Sequence, residues 1–225
     1  MTTTERQYEM VPTTGPHSPE RDAPLDAVFD AVGDRECRTL LRHLAETDGG
    51  PVAVEDLAER LAESDATGRT TARLHHTLLP KLADAGFLDY DADDRTVRYR
   101  SDRRLEAVLS TLDRGVEESP VSLDALLDAL SAFRRRRALV TLLTHGDLPL
   151  ADLADEVAVG EYDRPLPEID AETVLEVYLS LYHTHVPKLA DAGLVEYDQQ
   201  GDFVALTDAA AAVEPRVRAL CDHGE

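Results

Sequence analysis

The chain has 225 residues, 43% of them hydrophobic, and 45 acidic side chains against 23 basic ones give it a formal charge of −22. No run of 18 apolar residues is present, which argues against a membrane-spanning helix, and no charged, apolar, small-residue leader opens the chain, so a cytoplasmic protein is expected. The two cysteines, Cys37 and Cys221, lack the spacing of a metal site or of a disulfide framework.

Residues 1–24 are polar and contain several prolines, and are predicted to be a disordered tail. Leu25, Val28, Phe29 and Val32 then recur at helical spacing, and Cys37, Leu40, Leu41 and Leu44 do so again after Gly33-Asp34. Gly49-Gly50-Pro51 is a stop, and Leu57 and Leu61 mark a short helix after it. Residues 64–68 break the pattern. A longer helix carries Leu74, Leu78, Leu79 and Leu82 to Ala85, and Gly86 stands where a left-handed closing residue is expected. Residues 87–90 and 97–99 read as two strands around an acidic turn at 91–94, and a helix over 105–112 follows.

The order then repeats. HTLLPKLADAGFLDYD at 76–91 returns as HTHVPKLADAGLVEYD at 183–198, with eleven of sixteen positions identical at an offset of 107. Earlier elements repeat at an offset of 98, which suggests nine added residues around the loop holding Pro165 and Pro167. A long helix over 171–192, a hairpin and a last helix over 209–220 are predicted. Two copies of one unit mean two similar domains, 25–114 and 121–225, joined by a linker at 115–120.

The fold class expected is α+β, mainly α: two tandem winged helix-turn-helix domains, each of three or four helices plus a two-stranded wing. The helix ending in Ala-Gly before a hairpin resembles the recognition-helix-to-wing junction of arsenic-repressor-like regulators. The His-Thr-x-x-Pro-Lys-Leu-Ala-Asp-Ala-Gly string more closely resembles a haloarchaeal winged-helix domain family of unknown function. The run Arg134 to Arg137 resembles that family as well, whereas the first copy reads Asp34-Arg35-Glu36-Cys37-Arg38 there.

Only Lys81 and Lys188 are lysines, and the other basic residues are arginines. This composition resembles that of haloarchaeal proteins. At molar salt the Debye length is about 3 Å, so the total charge does not bar a nucleic-acid partner and only local charge matters.

Leu79, Leu82 and Ala85 are expected to face the core, and with them Val186, Leu189 and Ala192 of the second copy. His76, Thr77, Pro80 and Lys81 then face outward. The winged-helix resemblance implies double-stranded DNA as partner, with Arg69, Arg73, His76, Thr77 and Lys81 in the groove. Arg95, Arg98 and Arg100 are the wing contacts, and Lys188 matches Lys81 in the second copy. The second wing has no cations, so the second domain is read as an oligomerisation or protein-partner surface, and the alternative for the whole chain is a winged-helix protein-interaction module that no longer binds DNA. A homodimer through the two closing helices is expected.

Bland readings stand beside these. The two lysines can serve a helix C-terminal dipole, and the wing arginines can pair with Asp91, Asp93, Asp94 and Asp102. Pro80 and Pro187 should kink or restart their helices. His75 aligns with Tyr182 and is expected to be a partly buried, hydrogen-bonded ring. No metal site, cofactor or catalytic arrangement is expected, because no His or Cys pair has ligand spacing.

Overall fold

The computed structural model describes residues 23–47, 49–62, 67–114 and 119–222. Most of the predicted tail, part of the predicted break at 64–68, most of the linker and the last three residues lie outside them.

The first repeat opens with α1 (Leu25–Gly33), which buries Val28, Phe29, Ala31 and Val32. The Asp34 carboxylate caps α2 (Arg35–Ala45) by accepting from the Glu36 and Cys37 backbone N–H groups at 2.7 and 3.1 Å. Next come β1 (Val52–Ala53) and α3 (Val54–Leu61). The long helical segment is three pieces in line: α4 (Thr67–Arg73), a π-helical turn (Leu74–Leu78) and α5 (Leu79–Asp84).

The expected kink at Pro80 takes the form of that π turn. Proline has no N–H to donate, and its ring crowds the carbonyl one turn back. A wider turn, in which the Leu79 N–H reaches the Leu74 carbonyl five residues back, absorbs both defects. The second repeat solves Pro187 the same way, with the Val186 N–H donating to the Leu181 carbonyl.

Gly86, at φ +83°, closes α5. The Gly86 N–H donates to the Ala83 carbonyl (2.9 Å) and the Phe87 N–H to the Leu82 carbonyl (3.0 Å), which satisfies two end carbonyls and buries Phe87 beneath them. The chain then turns into β2 (Leu88–Asp91) and β3 (Thr96–Tyr99), paired antiparallel with Tyr90 opposite Val97, and into α6 (Arg103–Asp113). The two-stranded hairpin predicted is joined by β1, so each sheet has three strands, in the order β1-β3-β2. Each repeat also has more helical segments than the three or four expected.

The second repeat runs α7 (Leu123–Leu130), α8 (Phe133–His145), β4 (Leu148–Pro149), α9 (Leu150–Tyr162), α10 (Ala171–Ser180), a π turn, α11 (Val186–Asp191), β5 (Val195–Asp198), β6 (Phe203–Leu206) and α12 (Asp208–Cys221). The copies are offset by 96 at the short strand (Val52 and Leu148) and by 107 at the helix stop (Gly86 and Gly193). Eleven residues, not nine, are therefore inserted between these points. Part of the insertion lengthens α9 to 13 residues against 8 in α3.

The two repeats do not have separate cores. Their buried residues form one continuous cluster, with α1 packed on α7 and α6 on α12. Each helix thus meets its own counterpart, the arrangement of an isologous, twofold-like interface. Two reciprocal ion pairs make this explicit. Arg38 binds Asp124 at 2.6 Å and Arg136 binds Asp26 at 2.7 Å, with both partners related by the offset of 98. Both guanidiniums are buried, and each also donates to the end of the preceding helix: Arg38 to the Val32 carbonyl and Arg136 to the Leu130 carbonyl, both at 2.7 Å.

The first copy departs from the arginine run at three of four positions, Glu36, Cys37 and Thr39, but keeps Arg38 in the register of Arg136. The closing helices α6 and α12 cannot be the homodimer surface as drawn, because their apolar faces (Leu105, Val108, Leu112; Val213, Val217, Leu220) are already buried within the chain.

Candidate nucleic-acid interface

On the long helical segment of the first repeat, Leu74, Leu78, Leu79 and Leu82 are buried, while His76 and Thr77 are exposed. The π turn lies between the end of α4 and the start of α5, so it sets how Arg69 and Arg73 stand relative to Lys81. Arg69 is exposed and has no partner among the described residues. Arg73 reaches back to α2, with Asp34 at 3.4 Å and Glu36 at 3.0 Å. Lys81 is bound to α1, 2.9 Å from the Asp30 carboxylate and 3.1 Å from its carbonyl oxygen. That ion pair was in neither reading of the lysine.

At the hairpin, the Asp91 carboxylate accepts from the Asp93 and Asp94 N–H groups and shapes the turn. Arg95 follows in a left-handed conformation (φ +52°), its carbonyl accepts from the Val54 N–H, and its guanidinium meets Glu55 at 3.0 Å. Glu55 is held below the usual carboxylate range, chiefly by a hydrogen bond from its own backbone N–H and then by Arg95. Arg100 sits 3.6 Å from Asp89 in an exposed pair. Arg98 is exposed and unpaired among the described residues. An open groove of about 530 Å³ runs past Arg98 and Arg100, with Asp89 and Asp91 also on its walls. The hairpin arginines Arg95 and Arg100 therefore pair with Glu55 and Asp89 rather than with Asp91, Asp93, Asp94 or Asp102, and Arg98 has no acidic partner among the described residues.

The structure thus sorts the sequence-predicted residues. Among the described residues Arg69, His76, Thr77 and Arg98 have no partner, whereas Arg73, Lys81, Arg95 and Arg100 each hold a carboxylate. Exposed pairs of this kind are worth about 0–1 kcal/mol, so a phosphate at close range can displace them. His75 donates to or accepts from the Tyr90 hydroxyl, as its alignment with Tyr182 suggests; in the second repeat Tyr182 packs edge-on against Tyr197 instead.

In the second repeat the same positions have opposite character. Asp202 replaces Arg95 at the left-handed turn position (φ +51°) and gathers two tyrosine hydroxyls, Tyr197 at 2.7 Å and Tyr178 at 3.1 Å. Burial first, and then Asp202, pushes the Tyr197 hydroxyl far above its ordinary range. Glu172 and Glu176 are exposed on α10. Lys188 is exposed and forms no ion pair among the described residues. Asp128, the counterpart of Lys81's partner Asp30, lies instead beside Arg135, at 3.8 Å.

The arginine run that marks the second repeat has a structural use that sequence reasoning missed. Arg134 makes a fork with Glu161 at 2.6 and 2.9 Å. Arg135 donates to the Asp128 and Ala129 carbonyls and to Ser131 Oγ, closing α7. Arg136 crosses to Asp26. The signal was available: Arg38 and Asp26 recur as Arg136 and Asp124 at the constant offset.

Among the described residues no group of three His, Cys, Asp or Glu side chains converges as a metal site, and no helix is long and apolar enough to cross a membrane. The family described as a domain of unknown function, DUF7344, matches residues 29–98 and again residues 127–205. No curated protein and no solved structure matches the chain.

Proposed function

The chain belongs to the DUF7344 family in both of its halves, and from that premise we propose that it is a DNA-binding transcriptional regulator made of two tandem winged helix-turn-helix repeats. The order helix, short strand, two helices, hairpin supports the winged-helix reading, as does the sheet order β1-β3-β2. In it, α4 and α5 enter the major groove and β2–β3 is the wing. The carrying observation is that Arg69, His76, Thr77 and Arg98 on one repeat are exposed and have no partner among the described residues, beside the exposed pairs of Arg73, Lys81, Arg95 and Arg100. The lysine-poor, aspartate-rich composition supports a halophilic archaeal cytoplasm as the setting, where screening leaves only such close cations effective. In this reading the internal twofold takes the place of a homodimer's.

A second reading applies to the other repeat. All four exposed large hydrophobic side chains among the described residues, Tyr162, Leu175, Leu179 and Phe203, belong to it. Leu175 and Leu179 stand one turn apart on α10, flanked by Glu172 and Glu176. This favours a protein partner there.

The experiment is retention of duplex DNA by the full chain in molar KCl. Joint replacement Arg69→Gln/Arg98→Gln should weaken binding and lower the salt slope by about 2, one unit per lost phosphate contact. Binding that is absent in the unaltered chain, or unmoved by the replacement, leaves the protein-interaction reading in its place.

A further inference from the structure

The seam between the repeats holds a cavity of about 490 Å³ where the start of α1 meets α6, α8 and α12. Four of its lining residues are arginines: Arg104, Arg136, Arg137 and Arg218. Two are carboxylates, Asp26 and Asp222. An excess of guanidiniums is unexpected in a chain of charge −22. The remaining wall is apolar, with Leu25, Phe133 and Val140.

Most of these arginines are only partly committed. Arg136 is buried and held by Asp26 and the Leu130 carbonyl. Arg218 spends Nε on Glu214 and one terminal nitrogen on the Leu143 carbonyl. Among the described residues Arg104 donates to the Ala23 carbonyl. Arg137 makes no bond with any described residue, and its Nε is buried without a partner. That Nε is sealed against α9, which does not line the cavity, so it is not itself open to a ligand there. Gly160 makes room for it: a Cβ there would lie 2.6 Å from Arg137 Nε.

The internal twofold provides a control site. At the opposite end of the seam, the positions of Arg137, Arg218 and Arg104 are held by Thr39, Asp113 and Ala209. Asp113 there binds Arg42 at 2.7 Å. The two ends of the seam are therefore lined differently, although the opposite end has arginines of its own: Arg35, Arg38 and Arg42 stand at the positions of Phe133, Arg136 and Val140.

We propose that this seam cavity binds a small organic anion, one carboxylate or phosphate head on the arginines with a single-ring-sized apolar body against Leu25, Phe133 and Val140. Its volume suits such a ligand, and the planar guanidinium fork suits either head group. The site spans both repeats, so occupancy bears on their mutual packing whether or not the chain binds DNA.

The test uses the full chain and phenyl phosphate as probe, followed by calorimetry and thermal melting at one fixed salt concentration. One equivalent should bind and raise the melting temperature. Inorganic phosphate, which has only the head, and benzyl alcohol, which has only the body, should each bind at least about tenfold more weakly. Arg137→Gln should weaken the probe about tenfold or more, and Arg98→Gln, remote at the wing, should not. A footprint on the unaltered chain removes dependence on any variant. Cys221 lines the cavity, and Cys37 is fully buried. Phenyl phosphate should therefore slow maleimide alkylation of Cys221. No binding, equal binding of benzyl alcohol, unchanged affinity in Arg137→Gln, or alkylation of Cys221 unaffected at saturation would each overturn the proposal.

Discussion

Replacing Arg38 by alanine tests the reciprocal interface most directly. Arg38 is 5% exposed, and it donates to the Val32 and Gly33 carbonyls at 2.7 and 3.0 Å as well as to Asp124. Its removal strands helix-end carbonyls, one of them in a fully buried bond, and each stranded group costs about 1–3 kcal/mol. The charge-assisted bond to Asp124 is also lost, giving a total near 3 kcal/mol. Asp124 is different. Its side chain is 65% exposed, so Asp124→Asn leaves Arg38 two carbonyls and water and should cost only about 0.5–1 kcal/mol. Urea unfolding of the full chain at constant salt reads both, and for a chain of this size Arg38→Ala should melt about 6–12 °C lower. By the internal twofold, Arg136→Ala should match it. The reasoning fails if Arg38→Ala costs under about 0.5 kcal/mol, or if Asp124→Asn costs as much as Arg38→Ala.

Other outcomes follow from single positions. Gly193→Ala, at φ +72° with open space around its Cβ, should destabilise by about 1 kcal/mol through backbone strain alone, measured by the same unfolding. His185 occupies the register of buried Leu78, and its Nδ1 is buried without a partner. Burial, then Arg135 and Arg134, lowers its pKa to about 4. The unfolded chain takes up that proton from about 6.5 downward while the folded chain does not, so stability should fall between pH 6.5 and about 4, by about 2 kcal/mol after allowance for its partial exposure. His185→Leu should flatten that part of a pH–stability curve, and an unchanged curve would refute the assignment. Arg95→Gln alone should weaken DNA retention less than Arg98→Gln, because Arg95 must first leave Glu55.

The elements were legible where local chemistry decides them. Ala-Gly closing an apolar-periodic helix gave both helix stops, and the alternation around Tyr90 and Val97 gave the hairpin. The prolines announced a disturbance but not its form, because a π turn leaves no periodic trace in five residues. The short strand Val52–Ala53 was missed because two residues cannot display alternation. Of the candidate site, side-chain exposure was legible from helix phase: His76 and Thr77 face out as expected. The carboxylates that engage Arg73 and Lys81 were not, since Asp34, Glu36 and Asp30 approach from α1, α2 and their junction, and only tertiary packing brings them near. What covers the closing helices was illegible for the same reason. Apolar faces on closing helices call for a cover, and their pattern does not say that the cover is the other half of the same chain.

Fusing two halves about an internal twofold has an evolutionary consequence. In an assembly of identical subunits every substitution is made twice, so both ends stay alike. Here Arg95 and Asp202, or Asp113 and Arg218, could drift to opposite charge while the Arg38 and Arg136 clasps kept the halves together. The result is a molecule with a direction, able to meet one thing at its front and another at its back.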